Sequence, residues 1–217
     1  MSDSNRPGGF EPHEAHGKGS LYPDEIIARK VKTELRKRMR GVRVAAPASA
    51  CAVRSEKIRA RLSVLPAVTA ARSIALFFPI EGKNEVDLLP LHEALSARGV
   101  SVAYPSIDPD TGEMTFRVPT SLDLLEERGK GFREPPYECE ALHAPDVIVV
   151  PALAVAPTGH RLGYGAGYYD RALAVAAGSF TVAVVYDYQL LVELPVLPHD
   201  VPVAHVVTDT RDFAAER

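Results

Sequence analysis

Gly159-His160-Arg161-Leu162-Gly163-Tyr164-Gly165-Ala166-Gly167-Tyr168-Tyr169-Asp170-Arg171 is the stretch on which the fold turns. Before it lies an apolar run, Asp146 to Pro151, whose core Val147-Ile148-Val149-Val150 has the composition of a strand buried on both faces. After it, Tyr168 to Ala177 consists of good helix formers. A strand, a glycine-rich loop and a helix start, in that order, make an anion site. Gly163, Gly165 and Gly167 allow a sharp turn and close approach of backbone to a ligand. The unpaired N–H groups of the first helical turn then face whatever occupies the loop. Arg161 adds a cationic fork suited to phosphate, and Asp170 adds a carboxylate suited to a divalent metal. Neither common nucleotide fingerprint is present: Tyr168 stands where Gly-x-Gly-x-x-Gly needs its third glycine, and no Gly-Lys-Ser/Thr closes a P-loop. A tight strand-to-helix turn, with Asp170 complementing the helix N-terminus, is the structural alternative.

Working outward, 217 residues suit one domain with a three-layer core. Hydrophobic residues make up 46 % and charged residues 24 %, as in globular proteins, and a net charge of −3 argues against wholesale nucleic-acid binding. No apolar run reaches membrane-spanning length, and the N-terminus lacks the layout of a secretory signal. Cys51 and Cys139 have no metal-ligand spacing, and are expected as reduced thiols in a cytoplasmic protein. Residues 1–21 are expected to form a tail, and 22–212 a single α/β domain.

Pro23-Asp24-Glu25 starts a helix with Ile27, Val31, Leu35 and Met39 as its expected buried stripe. The same helix carries Arg29, Lys30, Lys32, Arg36, Lys37, Arg38, Arg40 and Arg43. Lys32 and Arg36 lie one turn apart and could straddle a polyphosphate; a solvated basic face and a nucleic-acid patch are the competing readings. A second helix is expected over Ala48 to Leu65, with Ser49 or Ser55 as cap, and a strand over Ser73 to Phe78. Glu85 follows that strand, where open α/β sheets place ligands, and Asp87 caps a helix over Leu88 to Arg98. Val100 to Pro105, the turn Asp108 to Gly112 and Glu113 to Val118 read as a hairpin. Residues Phe132 to Pro136 read as a connector. Thr181 to Tyr186 and His205 to Thr208 are the last strands, joined through a proline-rich extended segment containing Asp200.

Arg161-Leu162-Gly163-Tyr164-Gly165-Ala166-Gly167-Tyr168-Tyr169-Asp170-Arg171 resembles the glycine-rich motif of the 5-formyltetrahydrofolate cyclo-ligase (methenyltetrahydrofolate synthetase) family. Three further blocks, in the right order, resemble the same family: Lys32-Thr33-Glu34-Leu35-Arg36, Glu85-Val86-Asp87, and the ending with Gln189, Leu194-Pro195 and His199-Asp200. The connector Phe132-Arg133-Glu134-Pro135-Pro136 also resembles the family's Gly-x-x-Glu-Pro segment, with no role implied for it. The resemblance implies an open, mostly parallel three-layer α/β sheet with helices on both faces, Rossmann-like and of the CoA-transferase-like kind. It implies an enzyme that uses ATP and Mg2+ to convert 5-formyltetrahydrofolate into 5,10-methenyltetrahydrofolate.

By the same resemblance, Lys32, Arg36, Arg161, Leu162, Gly163, Tyr164, Gly165, Ala166, Gly167, Tyr168 and Tyr169 contact ATP, with Lys32 and Arg161 stabilising the moving phosphoryl group. Glu85, Ile80 and Tyr168 contact the folate, and Asp170 and Asp200 hold magnesium. Ala156 departs from the family, in which many members carry Asp there. The implied partners are these small molecules, with a monomer and neither nucleic acid nor membrane. A non-catalytic folate- or nucleotide-binding paralogue and an RNA-associated protein using the basic first helix are the alternatives.

Overall fold

The computed structural model describes residues 23–128 and 131–216; the expected tail 1–21 lies outside them. In chain order the helices are α1 (Pro23–Ala45), α2 (Ala48–Val64), α3 (Pro66–Ala70), α4 (Leu89–Ala97) and α5 (Tyr168–Val175). The strands are β1 (Ser73–Ala75), β2 (Ser101–Ile107), β3 (Met114–Val118), β4 (Glu126–Glu127), β5 (Arg133–Glu134), β6 (Glu140–Ala141), β7 (Val147–Pro151), β8 (Ala154–Val155), β9 (Arg161–Leu162), β10 (Phe180–Val184), β11 (His205–Val207) and β12 (Asp212–Ala214).

Eight strands form one sheet in the order β12-β11-β10-β7-β1-β2-β3-β6. The five inner strands β11, β10, β7, β1 and β2 run parallel, and antiparallel strands close both ends. Alternation within β7 divides the core. Val147 and Val149 pack with Ile58, Leu62, Leu91 and Leu95 from α2 and α4, whereas Ile148 and Val150 pack with Ala172, Leu173 and Ala176 at α5. The three-layer, mostly parallel α/β fold is therefore as expected. Among the described residues, no helix is long and apolar enough to cross a membrane. Cys51 and Cys139 are both unpaired.

Three local expectations are corrected. Ile27 and Val31 are 58 % and 42 % exposed, while Lys32, Met39 and Arg43 are buried. α1 thus turns a largely cationic stripe inward, because what it covers is a polar cleft rather than the hydrophobic core. Neither Ser49 nor Ser55 caps α2: Pro47 occupies the N-cap, and Ser55 is buried, bonded to the Tyr186 hydroxyl at 3.1 Å. Nor does β7 run directly into the glycine loop. The ribbon β8–β9 intervenes, and Gly159 turns its tip with φ +77°, where a Cβ would collide with the Val203 carbonyl. β12, which starts at residue 212, the expected end of the domain, and runs beyond it, was not anticipated.

Candidate functional site

At the C-terminal ends of β1, β2 and β7, where parallel α/β sheets present their loops, lies a cleft of about 330 Å3. Its walls come from the inward stripe of α1, the glycine loop before α5, the segment that follows β1, β5 with the preceding Phe132, and the stretch from Leu197 to Asp200. One end is charged, with Arg29, Lys32, Arg36, Arg161, Asp170 and Asp200. The other is mostly apolar, with Phe78, Pro105, Ile107, Met114 and Phe132.

The glycine loop is held open by α1. The Arg36 Nε donates to the Gly163 carbonyl at 3.0 Å, and an Arg40 Nη2 donates to the Tyr164 carbonyl at 3.3 Å. Gly165 has φ +107°, and a Cβ there would lie 3.3 Å from the Arg36 guanidinium carbon. Gly167 caps α5 at φ +71°. Both positions need glycine because L side chains are strained in that region; Gly163 does not have positive φ. Burial lowers the Arg36 pKa, and the neighbouring Arg40 charge adds to this.

Three ion pairs tie the cleft together. Lys32 donates to Asp200, and both side chains are nearly buried. Arg161 reaches the Asp170 Oδ1 at 2.8 Å and also donates to the Val201 carbonyl. Burial lowers the Arg161 pKa, opposed chiefly by the charge of Asp170. Arg43 lies 3.3 Å from the Glu85 Oε1, which also accepts from the Tyr164 hydroxyl at 2.8 Å. The second Glu85 oxygen accepts the Ile80 N–H at 2.9 Å.

Tyr164 has its ring near the Arg40 and Arg43 guanidiniums at 5.5 and 5.6 Å, and meets Phe132 edge-on. It is a strut between α1, the loop and Glu85. Tyr169 differs: its hydroxyl is buried with no hydrogen-bond partner among the described residues, and burial raises its pKa. The phenol therefore stays protonated and can donate to a ligand.

Asp170 and Asp200 meet the donor chemistry of a magnesium site. Each binds its cation through one oxygen, and among the described residues the other oxygen makes no hydrogen bond. Residues 200 and 201 link them, since the Val201 N–H donates to Asp170 at 3.2 Å. No cluster of three or more His, Cys, Asp or Glu occurs among the described residues. A magnesium ion here would complete its shell with phosphate oxygens and water, the usual arrangement for this cation.

Burial would raise the Asp200 carboxyl, but the hydrogen bond from Lys32 and that from the Leu197 N–H outweigh it and hold the pKa below the ordinary value of 3.8. A folded pKa below the unfolded one gives stability that is present above the unfolded value and lost as pH falls through the folded one. Thermal melts taken between neutral pH and pH 3 should therefore show an acid-side loss of stability that is shallower in Asp200→Asn. Identical acid limbs would contradict the pairing.

Of the residues expected to contact ligands, Ile80, Glu85, Lys32, Arg36, Arg161, Asp200 and Gly163 to Asp170 all line the cleft. Leu162 does not. Its side chain packs with Met39, Leu153 and Leu194, because strand alternation in β9 sends it opposite to Arg161. Ala156 lies in the same apolar cluster, so its departure from the family pattern removes no group from the cleft. Sequence reasoning missed Arg29 and Thr33, which precede Lys32 and Arg36 on the same helical face, and it missed His199. It also read Glu134 as part of a connector, whereas the structure buries it at the apolar end.

The 5-formyltetrahydrofolate cyclo-ligase family matches residues 28–209, spanning every element that walls the cleft. The chain belongs to the 5-formyltetrahydrofolate cyclo-ligase family. It is 35 % identical over 196 residues to the 5-formyltetrahydrofolate cyclo-ligase of Mycolicibacterium smegmatis, covering 86 % of this chain and 97 % of that one. With the Escherichia coli K12 protein of the same name it shares 34 % identity over 158 residues, 70 % of this chain and 85 % of the other. The solved 5,10-methenyltetrahydrofolate synthetase of Aquifex aeolicus superimposes with a TM-score of 0.75 at 31 % identity, covering 86 % of this chain and 94 % of that one. The expected cyclo-ligase fold and enzyme class are thereby borne out.

Proposed function

We propose that this cyclo-ligase converts 5-formyltetrahydrofolate to 5,10-methenyltetrahydrofolate with ATP and Mg2+, releasing ADP and phosphate. The observation that carries the reading is the division of one cleft into a cationic end built on a glycine loop and an apolar end with carboxylates. The first suits a triphosphate and the second a pterin.

The formamide of the substrate is a poor electrophile because its nitrogen donates into the carbonyl. Transfer of the terminal phosphoryl group to the formyl oxygen makes that oxygen a leaving group. N10 then attacks the formyl carbon, phosphate departs, and the five-membered ring closes with loss of the N10 proton. No covalent enzyme nucleophile is needed, so catalysis rests on positioning and charge.

Lys32, Arg36 and Arg161, with the backbone of Gly163 to Gly167, bind and orient the triphosphate. A magnesium ion on Asp170 and Asp200 would neutralise charge on the outer phosphates. The Tyr169 hydroxyl orients a polar atom near the point of transfer, and Tyr168 covers the ligand from the loop side. Glu85 acts through Tyr164, Arg43 and the Ile80 N–H, which it fixes in position. The reading keeps small molecules as partners of a cytoplasmic monomer. With Lys32 and Arg43 turned inward, the basic helix offers fewer cations to a nucleic acid.

Incubating the protein with 5-formyltetrahydrofolate, ATP and magnesium tests this directly. Growth of the methenyl chromophore that depends on all three supports it. Tight binding without turnover would establish instead a non-catalytic paralogue.

A further inference from the structure

The segment after residue 130 is clamped into the cleft wall by contacts that leave one carboxylate over. Gly131 has φ +79°, and a Cβ there would sit 3.1 Å from the Ile80 side chain, so the chain passes close against the loop carrying Ile80. Phe132 then meets the Tyr164 ring, and Arg133 lies over Phe78 while donating to the Leu125 carbonyl at 3.0 Å. Ser106 donates to the Pro135 carbonyl at 3.0 Å, tying the far end to β2.

Between these anchors Glu134 is 5 % exposed and lines the apolar end beside Pro105, Ile107 and Met114. Its Oε2 accepts the Ile107 N–H at 2.8 Å. Its Oε1 has no hydrogen bond among the described residues, whereas both oxygens of Glu85 are engaged. Burial pushes the Glu134 carboxyl up, with only partial relief from the Ile107 N–H and the Arg128 charge. A desolvated carboxylate with spare acceptor capacity is costly unless a ligand completes it.

We propose that Glu134 is a specificity residue that receives the N3–H and 2-amino donors of the pterin ring of the folate. The proposal rests on the folate reading above. Those two donors lie side by side in one plane, like the two N–H groups with which a guanidinium meets a carboxylate. Oε1 is available to one donor, and Oε2 can accept a second bond beside that from Ile107. The side chains of Pro105, Ile107, Met114 and Phe132 supply apolar surface for the ring faces. Because Oε2 is fixed by a backbone N–H and the segment by Gly131 and Ser106, the carboxylate is held in place before the ligand arrives, which limits the ordering cost of binding.

The test is calorimetric titration of the full chain, wild type and Glu134→Gln, with 5-formyltetrahydrofolate and with its 2-desamino-2-methyl analogue. The amide oxygen in E134Q still accepts the Ile107 N–H, so the fold is retained. Wild type should bind the natural folate about tenfold more tightly than the analogue, and E134Q should weaken natural folate by about tenfold while shrinking that preference to threefold or less. Nucleotide affinity should not change. Wild-type affinity and preference in E134Q would overturn the proposal. So would an equal loss for both ligands accompanied by a lower melting temperature, which would make Glu134 a structural pin for β2. Failure of the wild-type chain to bind either compound would instead defeat the folate reading itself.

Discussion

Arg161→Ala is expected to lower turnover by about two orders of magnitude or more, the scale set by removing one preorganised charge-stabilising donor from a transition state. It should also lower stability by about 3 kcal/mol, because it leaves a largely buried carboxylate without its counter-charge. The second effect follows from geometry that the sequence does not display: the guanidinium is almost wholly buried and bonded to both Asp170 and the Val201 carbonyl. The two effects separate in a double variant. Arg161→Ala with Asp170→Ala removes both charges and should recover part of the lost stability in urea titrations, while turnover stays low. If turnover returned along with stability, Arg161 would be a structural cation and not a phosphate ligand.

Glu85→Ala is expected to act from the other side of the cleft. It strips the Tyr164 hydroxyl and the Ile80 N–H of their acceptor and Arg43 of its counter-ion. Arg43 is 2 % exposed, and its Nε already has no partner among the described residues. An uncompensated guanidinium at such a site costs about 3–5 kcal/mol. In the folded fraction, KM for the folate should rise more than tenfold, since the wall formed by Tyr164 and Ile80 loses its brace, on the scale of losing one or two buried hydrogen bonds. A variant in which Arg43 and Glu85 both become apolar should regain stability but not folate affinity. Recovery of both would show that this pair serves only the fold.

The inner strands were legible because their signal is local. Val147 to Val150 is apolar at every position, as a strand covered on both faces must be, and Asp108 to Gly112 has the turn chemistry that makes β2 and β3 a hairpin. The stripe of α1 was not legible by the same rule. Hydrophobic periodicity assumes that the inward face meets apolar core, and here Lys32 and Arg36 point into a cleft and Arg43 meets Glu85, so the partners are acids and carbonyls from residues far along the chain. Read as a spacing of cations, 29, 32, 36 and 43 would have marked the correct face. The residues of the glycine motif expected to contact ligands line the cleft, except Leu162, which faces an apolar cluster because β9 alternates its side chains and the β8–β9 ribbon was unseen. The role of Glu134 was not legible for another reason: its burial depends on Ser106 and Ile107 of β2 and on the loop at Ile80, against which Gly131 passes, all far from it in sequence.

In the proposed reaction the cationic end of the cleft delivers a phosphoryl group to the formyl oxygen. This transfer is tested most directly by following that oxygen. With 5-formyltetrahydrofolate labelled with 18O at the formyl group, ATP and magnesium, one 18O atom is expected in each phosphate released as the methenyl product forms. Unlabelled phosphate, with the heavy oxygen appearing in water, would contradict it.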